Sequence, residues 1–275
     1  MGNFYKKVTY MKNESKTLFI PLYGKAQMSR SGFFHDETAE KIVSAEPDKF
    51  RNVDTSKRLA VYMAMRAMQY DSLTEKFLSE HPDSAVVHLG CGLDSRCRRV
   101  KAPYRMWYDL DFADVIELRK DYFQENTHYR MISSSAAEEK WLDEIDDMGK
   151  PVLILAEGIS MYLTEADIRC MMERFNRRFA GALFIFDAYS NSAAKISRFK
   201  NPVNAVNAKI SFSMDDHSIF EDASEKIRCV LDSDIIREEY ISCLSGILKY
   251  RFAFMRRFGS GFYRIYGYNI NGQTE

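Results

Sequence analysis

A five-residue run of strand type, Ala85–Leu89 (AVVHL), stops at Gly90-Cys91-Gly92, and the next such run, WYDLDF at 107–112, ends on two acids. In an open α/β sheet, glycines after a strand let backbone approach a ligand. An acid at the end of the next strand, about twenty residues on, takes ribose hydroxyls. Asp109 and Asp111 both stand where that acid belongs, so the order points to an adenosine-type cofactor. The turn reads G-C-G-L-D, with Asp94 and Ser95 behind it, and not G-x-G-x-x-G. The pattern suits a pyrophosphate less well, and S-adenosylmethionine, which has no phosphate to cradle, fits better. Taken alone, Gly90-Cys91-Gly92 also reads as an ordinary tight turn.

The rest of the chain fixes the setting. From residue 85 onward strand and helix patterns alternate, with strands expected at 85–89, 105–110, 129–132, 152–156 and 182–187 and helices notably at 113–124 and 165–179. Such alternation predicts a parallel sheet with helices on both faces. Residues 14–82 read as helices, among them 38–43 and a longer amphipathic run over 56–79 in which Leu59, Met63, Ala67, Tyr70 and Leu73 recur at helical spacing. The block FYRIYGYNI from Phe262 alternates as a strand does, at an edge or inserted antiparallel. Residues 190–232 are polar and read as an irregular segment covering the carboxyl ends of the strands. No repeat or low-complexity linker divides the chain, so 1–275 is expected to be one domain, with 1–82 as an N-terminal helical cap. Ligands in such sheets bind at the strands' carboxyl ends, where Gly90, Asp111, Ser134, Glu157 and Asp187 fall.

Composition excludes several classes. Lys plus Arg and Asp plus Glu balance at 39 each, so no global field favours nucleic acid or an anionic membrane, and neither partner is expected. The cluster Arg96, Arg98, Arg99 and Lys101 reads as a solvated helix face. The five cysteines, Cys91, Cys97, Cys170, Cys229 and Cys243, include no Cys-x-x-Cys pair, so neither a zinc site nor a disulfide framework is expected. No signal-peptide or membrane-spanning run is present. A cytoplasmic location is the corresponding expectation.

Four stretches, GKAQMSRSGFFHD (24–36), AMRAMQYDSLTEKFL (64–78), VVHLGCGLDSR with WYDLDFADVIELRK (86–120) and AEGISMYLTEADI (156–168), together resemble the leucine carboxyl methyltransferase family, including its tetracenomycin-type polyketide O-methyltransferase branch. The resemblance implies a Rossmann-like class I S-adenosylmethionine-dependent fold, with a mostly parallel seven-stranded sheet, one late antiparallel strand and the N-terminal helical cap. It implies cofactor contacts from Gly90, where a side chain would collide with the methionine portion, from Gly92, and from Asp111 to ribose, with Asp109 as the near alternative. Arg66 matches an arginine that pairs with the cofactor carboxylate, a task suited to a forked guanidinium. Lys25 matches a lysine reaching the same region. Glu157 matches an acid facing the cofactor amino group and the reacting methyl, and Tyr162, in the M-Y-L that follows Glu157, is expected nearest the acceptor.

Each assignment has a plainer competitor. Arg66 could be a surface arginine of an amphipathic helix, and Glu157 could cap the helix starting near Thr164, although Thr164 with Asp167 already forms a better cap. Asp94 reads as a cap after the glycine turn, and Asp36 and Asp71 as anchors of the helical cap. One departure from the family pattern stands out. After the third strand the family commonly places an acid for the adenine amino group, whereas this chain reads Ile132-Ser133-Ser134-Ser135-Ala136. Ser134 and Ser135 can still hydrogen-bond, but neutral bonds are about half as strong as charge-assisted ones.

The expected activity is methyl transfer to a hydroxyl or carboxylate oxygen of a small polyketide-like or aromatic acceptor, with S-adenosylhomocysteine as product. Phe33, Phe34 and Met63 suit an apolar acceptor and a helical core equally. A carboxylate needs no general base; for a phenol the candidates are His35, His217 and Tyr162. The alternatives are a protein C-terminal carboxyl methyltransferase and a catalytically silent S-adenosylmethionine-binding regulator. A nicotinamide-linked dehydrogenase is disfavoured by the missing third glycine. The acceptor and the oligomeric state have no signature in the sequence.

Overall fold

The structure, a computed structural model, describes residues 17–51, 53, 55–197, 210–259 and 261–272. Among the described residues four helices come first: α1 (Phe19–Arg30), α2 (Glu37–Ala45), α3 (Pro47–Phe50) and α4 (Lys57–Glu80). Then follow β1 (Ala85–Leu89), α5 (Arg96–Arg99), β2 (Met106–Asp111), α6 (Ala113–Arg119), β3 (Tyr129–Ser133), β4 (Val152–Ala156), α7 (Glu165–Arg178) and β5 (Ala182–Tyr189). The chain closes with α8 (Asn191–Ser197), β6 (Ile227–Asp234), α9 (Glu238–Ser242), α10 (Gly246–Phe258) and β7 (Tyr263–Ile270).

The strands form one sheet in the order β3-β2-β1-β4-β5-β7-β6. Pairings from β3 through β5 are parallel, and β7 runs antiparallel to both β5 and β6, so β7 is the reversed strand. Every residue of β1 and β4 is buried, as expected for central strands covered on both faces. Successive residues serve opposite layers. Val86, Trp107, Leu153 and Ile185 face α1, α2 and α4, whereas Val87, Tyr108, Ile154 and Phe184 face α7.

The helix starts follow local chemistry. Asp36 caps α2 by accepting from the Ala39 amide at 2.8 Å, and Ser56 caps α4 through the Leu59 amide at 3.2 Å. Thr164 and Asp167 form a reciprocal capping box on α7, with bonds of 3.1 and 2.8 Å. The cap therefore leaves Glu157 free for other partners.

Three expectations need correction. Residues 227–232, read as part of an irregular covering segment, belong to β6, an edge strand whose register shifts between Cys229 and Leu231 and blurs the alternation. The helix expected to reach residue 124 ends at Arg119, where the chain turns through Tyr122 and Phe123, whose amides donate to the Arg119 carbonyl. The basic cluster is not a solvated face: Arg96 is fully buried and Arg99 nearly so, whereas Arg98 and Lys101 are exposed.

Candidate active site

Strand order reverses around β1, whose neighbours are β2 and β4, and a cleft of about 560 Å³ opens beyond the carboxyl ends of these strands. That size and place suit a small-molecule site. The turn after β1 forms one wall. Gly90 and Gly92 have φ of +62° and +52°, the left-handed region that favours glycine. A Cβ on Gly90 would stand 2.3 Å from Cγ2 of Ile159. The protein's own side chain therefore demands glycine there, independently of any ligand. The Cys91 amide donates to the Leu110 carbonyl at 3.1 Å and ties the turn to β2.

Two acids leave β2 on the same face but do different work. Asp111 lines the cleft and accepts from the Gly92 amide at 2.8 Å and the Phe112 amide at 2.8 Å. Burial pushes its carboxyl up to about 6, against the pull of those two amides and of Arg119. Asp109 is not among the cleft-lining residues; it is fully buried. It accepts from Trp107 Nε1 at 2.9 Å, from the Tyr129 hydroxyl at 2.7 Å and from Arg119 Nη2. Burial alone would raise it, but Arg119, His88 and Tyr129 hold it below the usual carboxylate range. Arg119 in turn donates to the carbonyls of Gly92 at 2.9 Å and Asp94 at 2.8 Å. Asp109 thus acts on the cleft through Arg119, which clamps the glycine turn, and does not itself line the cleft.

The inner end of the cleft is a knot of paired charges. Arg66, from α4, donates through Nε to Glu157 Oε1 at 3.0 Å, and Arg96 Nη2 donates to Glu157 Oε2. Burial opposes ionisation of Glu157, yet Arg96, Arg66 and Lys25 outweigh it and hold the carboxyl at about 2. Lys25 pairs with Asp94, which also receives Arg99 Nη2 at 3.1 Å and the Arg96 amide at 2.6 Å. Asp71 binds Arg96 at 2.7 Å and Arg99 at 2.7 and 2.9 Å, and Asp36 accepts from Arg99 at 2.9 Å and Ser95 at 2.6 Å. The helical cap is therefore locked to the glycine turn by ion pairs, as expected for Asp36 and Asp71. His88 Nε2 faces Arg96 Nη1 at 3.3 Å, and since a guanidinium only donates, the ring proton belongs on Nδ1, toward Asp109 at 3.4 Å.

The opposite end is milder. Ser134 and Ser135 line it beside Ala136, Leu110 and Val115. The Ser134 hydroxyl lies within donating distance of Glu138 Oε2 at 3.2 Å and of the Ser135 carbonyl at 3.3 Å. Tyr162, in the short helical turn 160–162, lines the cleft with Ile159, Leu163, Leu18 and Pro21. The structure thus brings together Lys25, Arg66, Gly90, Gly92, Asp111, Ser134, Ser135, Glu157 and Tyr162. His35, with a side chain 84% exposed, and His217 are not among the lining residues. Sequence reasoning missed Arg96, Arg119 and His88. The available signal was a run of arginines beginning directly behind the glycine turn, where a solvated face has little room.

Comparison with known proteins adds a family. A sequence model of leucine carboxyl methyltransferases matches residues 21–176. The chain belongs to the leucine carboxyl methyltransferase family. It is 33% identical over 202 residues to the tetracenomycin polyketide synthesis O-methyltransferase TcmP of Streptomyces glaucescens, covering 72% of this chain and 74% of that one. It is 28% identical to the S-adenosyl-L-methionine-dependent methyltransferase dpfgK of Gibberella zeae, covering 76% and 78%. Solved structures confirm the fold alone: a DUF574 family protein of Streptomyces avermitilis (TM-score 0.57, 12% identity, 86% of this chain and 90% of that one) and the plantazolicin methyltransferase BamL (0.51, 12%, 94% and 98%). The protein is accordingly a methyltransferase of Rossmann-like architecture. Among the described residues no helix is long and apolar enough to cross a membrane, and no cluster of His, Cys, Asp or Glu is placed to hold a metal ion.

Proposed function

We propose that this protein transfers a methyl group from S-adenosylmethionine to a hydroxyl or carboxylate oxygen of a small, largely apolar acceptor. The observation that carries the reading is the ordering of chemistry along one cleft. Paired cations and carboxylates line its inner end, a carboxylate held by backbone amides stands in the middle, and an apolar slot edged by hydroxyls closes the outer end. That order matches a zwitterionic amino acid, a ribose diol and an adenine ring, so the residues present fit the cofactor.

Arg66 and Lys25 would hold the carboxylate of the cofactor, and Glu157 its ammonium group. Asp111 would accept from the ribose hydroxyls, and Ser134 and Ser135 would meet the adenine edge. The tight turn at Gly90 and Gly92 keeps side chains out of the path between these groups. S-adenosylmethionine, when bound, supplies a methyl already activated by its sulfonium, so the protein mainly orients the acceptor and excludes water. The apolar surround of Ile159, Leu163 and Leu18 desolvates the acceptor oxygen beside Tyr162. A carboxylate acceptor attacks as it stands. A hydroxyl acceptor needs its proton taken, and Tyr162 is the cleft residue among the three base candidates.

The test is calorimetric titration with S-adenosylmethionine, followed by product detection with carboxylate and phenol acceptors. Binding and turnover support the reading. Binding without turnover on any acceptor favours the silent regulator, and turnover only on a peptide carboxyl terminus favours the protein-directed branch.

A further inference from the structure

Asp187 lies two residues before the end of β5 and is fully buried beneath the inner end of the cleft. Its Oδ1 is well served, accepting from the Gly158 amide at 2.8 Å and the Tyr263 hydroxyl at 2.8 Å. Its Oδ2 has no hydrogen-bond donor among the described residues. That oxygen lies 3.8 Å from Nε of Arg66, whose single hydrogen goes instead to Glu157 Oε1 at 3.0 Å. One N–H therefore stands between two carboxylates and bonds only one. A fully buried carboxylate oxygen left without a donor is unfavourable and calls for an explanation.

We infer that Asp187 is a positioning residue that receives the Arg66 Nε–H when a ligand engages Glu157. This rests on the reading of the cleft as the S-adenosylmethionine site. In the free protein Glu157 is neutralised by Arg66 and Arg96. A ligand ammonium brings Glu157 a new donor, and a ligand carboxylate draws on Nη2 of Arg66, whose Nη1 donates to the Tyr263 hydroxyl at 3.5 Å. A shift of about 1 Å brings Nε within hydrogen-bond distance of Asp187 Oδ2. The guanidinium then faces the ligand from a fixed carboxylate behind it, and the donor missing from Oδ2 is supplied only in the bound state.

The surroundings make this transfer visible as proton release. The groups facing Asp187 are Arg66, Tyr62 and Tyr70 from α4, Glu157 after β4 and Tyr263 from β7, with Tyr189 of β5 packed against Tyr263. Tyr62, Tyr70 and Tyr263 are pushed well above 10 by burial, and Glu157 is held at about 2. Burial, with Glu157 nearby and Arg66 opposing, pushes Asp187 itself up to about 6. Receiving a cationic N–H lowers it, so ligand binding near pH 6 expels a proton.

The experiment is titration of wild type and Asp187→Asn with S-adenosylhomocysteine at pH 6, in two buffers of different ionisation enthalpy, which counts protons. The asparagine oxygen keeps the bonds from Gly158 and Tyr263, while its amide cannot accept from Arg66. The expected result is about half a proton less released by Asp187→Asn, the protonated fraction of a carboxyl at its own pKa. Affinity falls by roughly tenfold, as for a lost charge-assisted bond. Asp111 also titrates near 6 but contributes equally to both proteins. Equal proton release overturns the Asp187 assignment and leaves the cofactor site standing; no binding by the wild type overturns both. Should Asp187→Asn fail to fold, Tyr263→Phe removes one donor from Oδ1. The pH profile of affinity should then move up by about half a unit, and an unmoved profile overturns the assignment.

Discussion

Asp109 and Asp111 are two residues apart on one strand, point to one face and belong to one chemical type, yet their environments drive them opposite ways. Asp109 is surrounded by Arg119, Tyr129 and Trp107, and its carboxyl is held low. Among the described residues Asp111 accepts from two backbone amides, and its carboxyl is pushed up to about 6. A carboxylate whose charge is already matched by a buried cation serves the scaffold. One held by neutral donors at a cleft wall keeps capacity for a ligand's hydroxyls. Asp187 extends the lesson, with one oxygen satisfied and the other waiting for Arg66.

The largest effect that could break the contrast is on stability. Asp109→Ala leaves the Arg119 charge buried and unmatched, a loss of about 3–5 kcal/mol. For a chain of this size the thermal midpoint should fall by on the order of 10 °C. Asp111→Asn should unfold close to the wild-type midpoint at neutral pH but bind S-adenosylhomocysteine about 10- to 100-fold more weakly, the size of one or two charge-assisted bonds. Comparable destabilisation by both variants would erase the distinction.

Proton linkage sharpens it further. Asp111 has a folded pKa of about 6, above an unfolded value of about 3.9, so between the two the folded state binds more protons. The Asp111 contribution to stability therefore declines as pH rises from about 4 to about 6 and levels off beyond, by on the order of 1–2 kcal/mol after allowance for solvent in the cleft. Asp187, also near 6, adds a decline in the same window that wild type and Asp111→Asn share. Unfolding by denaturant across that range should show a shallower decline for Asp111→Asn, and parallel profiles would contradict the assigned environment. Gly90→Ala should cost about 1–2 kcal/mol from the left-handed backbone alone, with more from Ile159. Adding Ile159→Ala should recover the second part only, as read from thermal midpoints. Smallest of all, Ser134→Ala should weaken cofactor affinity a few-fold, the worth of one neutral hydrogen bond.

The strands β1 to β5 and β7, the capping box on α7 and the long α4 were legible because local pattern and tertiary role agree there. Strand β6 was not, since an edge strand with a shifted register exposes side chains on no fixed period. Helix α10 lacked a clean stripe, with Phe252 its buried residue while Ile247, Tyr250, Phe254 and Phe258 are exposed. The spacing of the turn and the acids points to the cleft that Gly90, Gly92 and Asp111 line. It could not separate Asp109 from Asp111, because the difference is made by Arg119, ten residues after Asp109 in sequence and brought back by the turn of the chain after β2. Nor could it show that Glu157 is shared by Arg66 and Arg96, which arrive from two different helices.

The most direct test is calorimetric titration of the wild type and Asp111→Asn with S-adenosylhomocysteine, with NAD run alongside. The account predicts micromolar binding by the wild type, a loss of at least about tenfold for Asp111→Asn, and no heat from NAD. Unchanged affinity in the variant, or binding of NAD in place of the methionine-derived ligand, would contradict it.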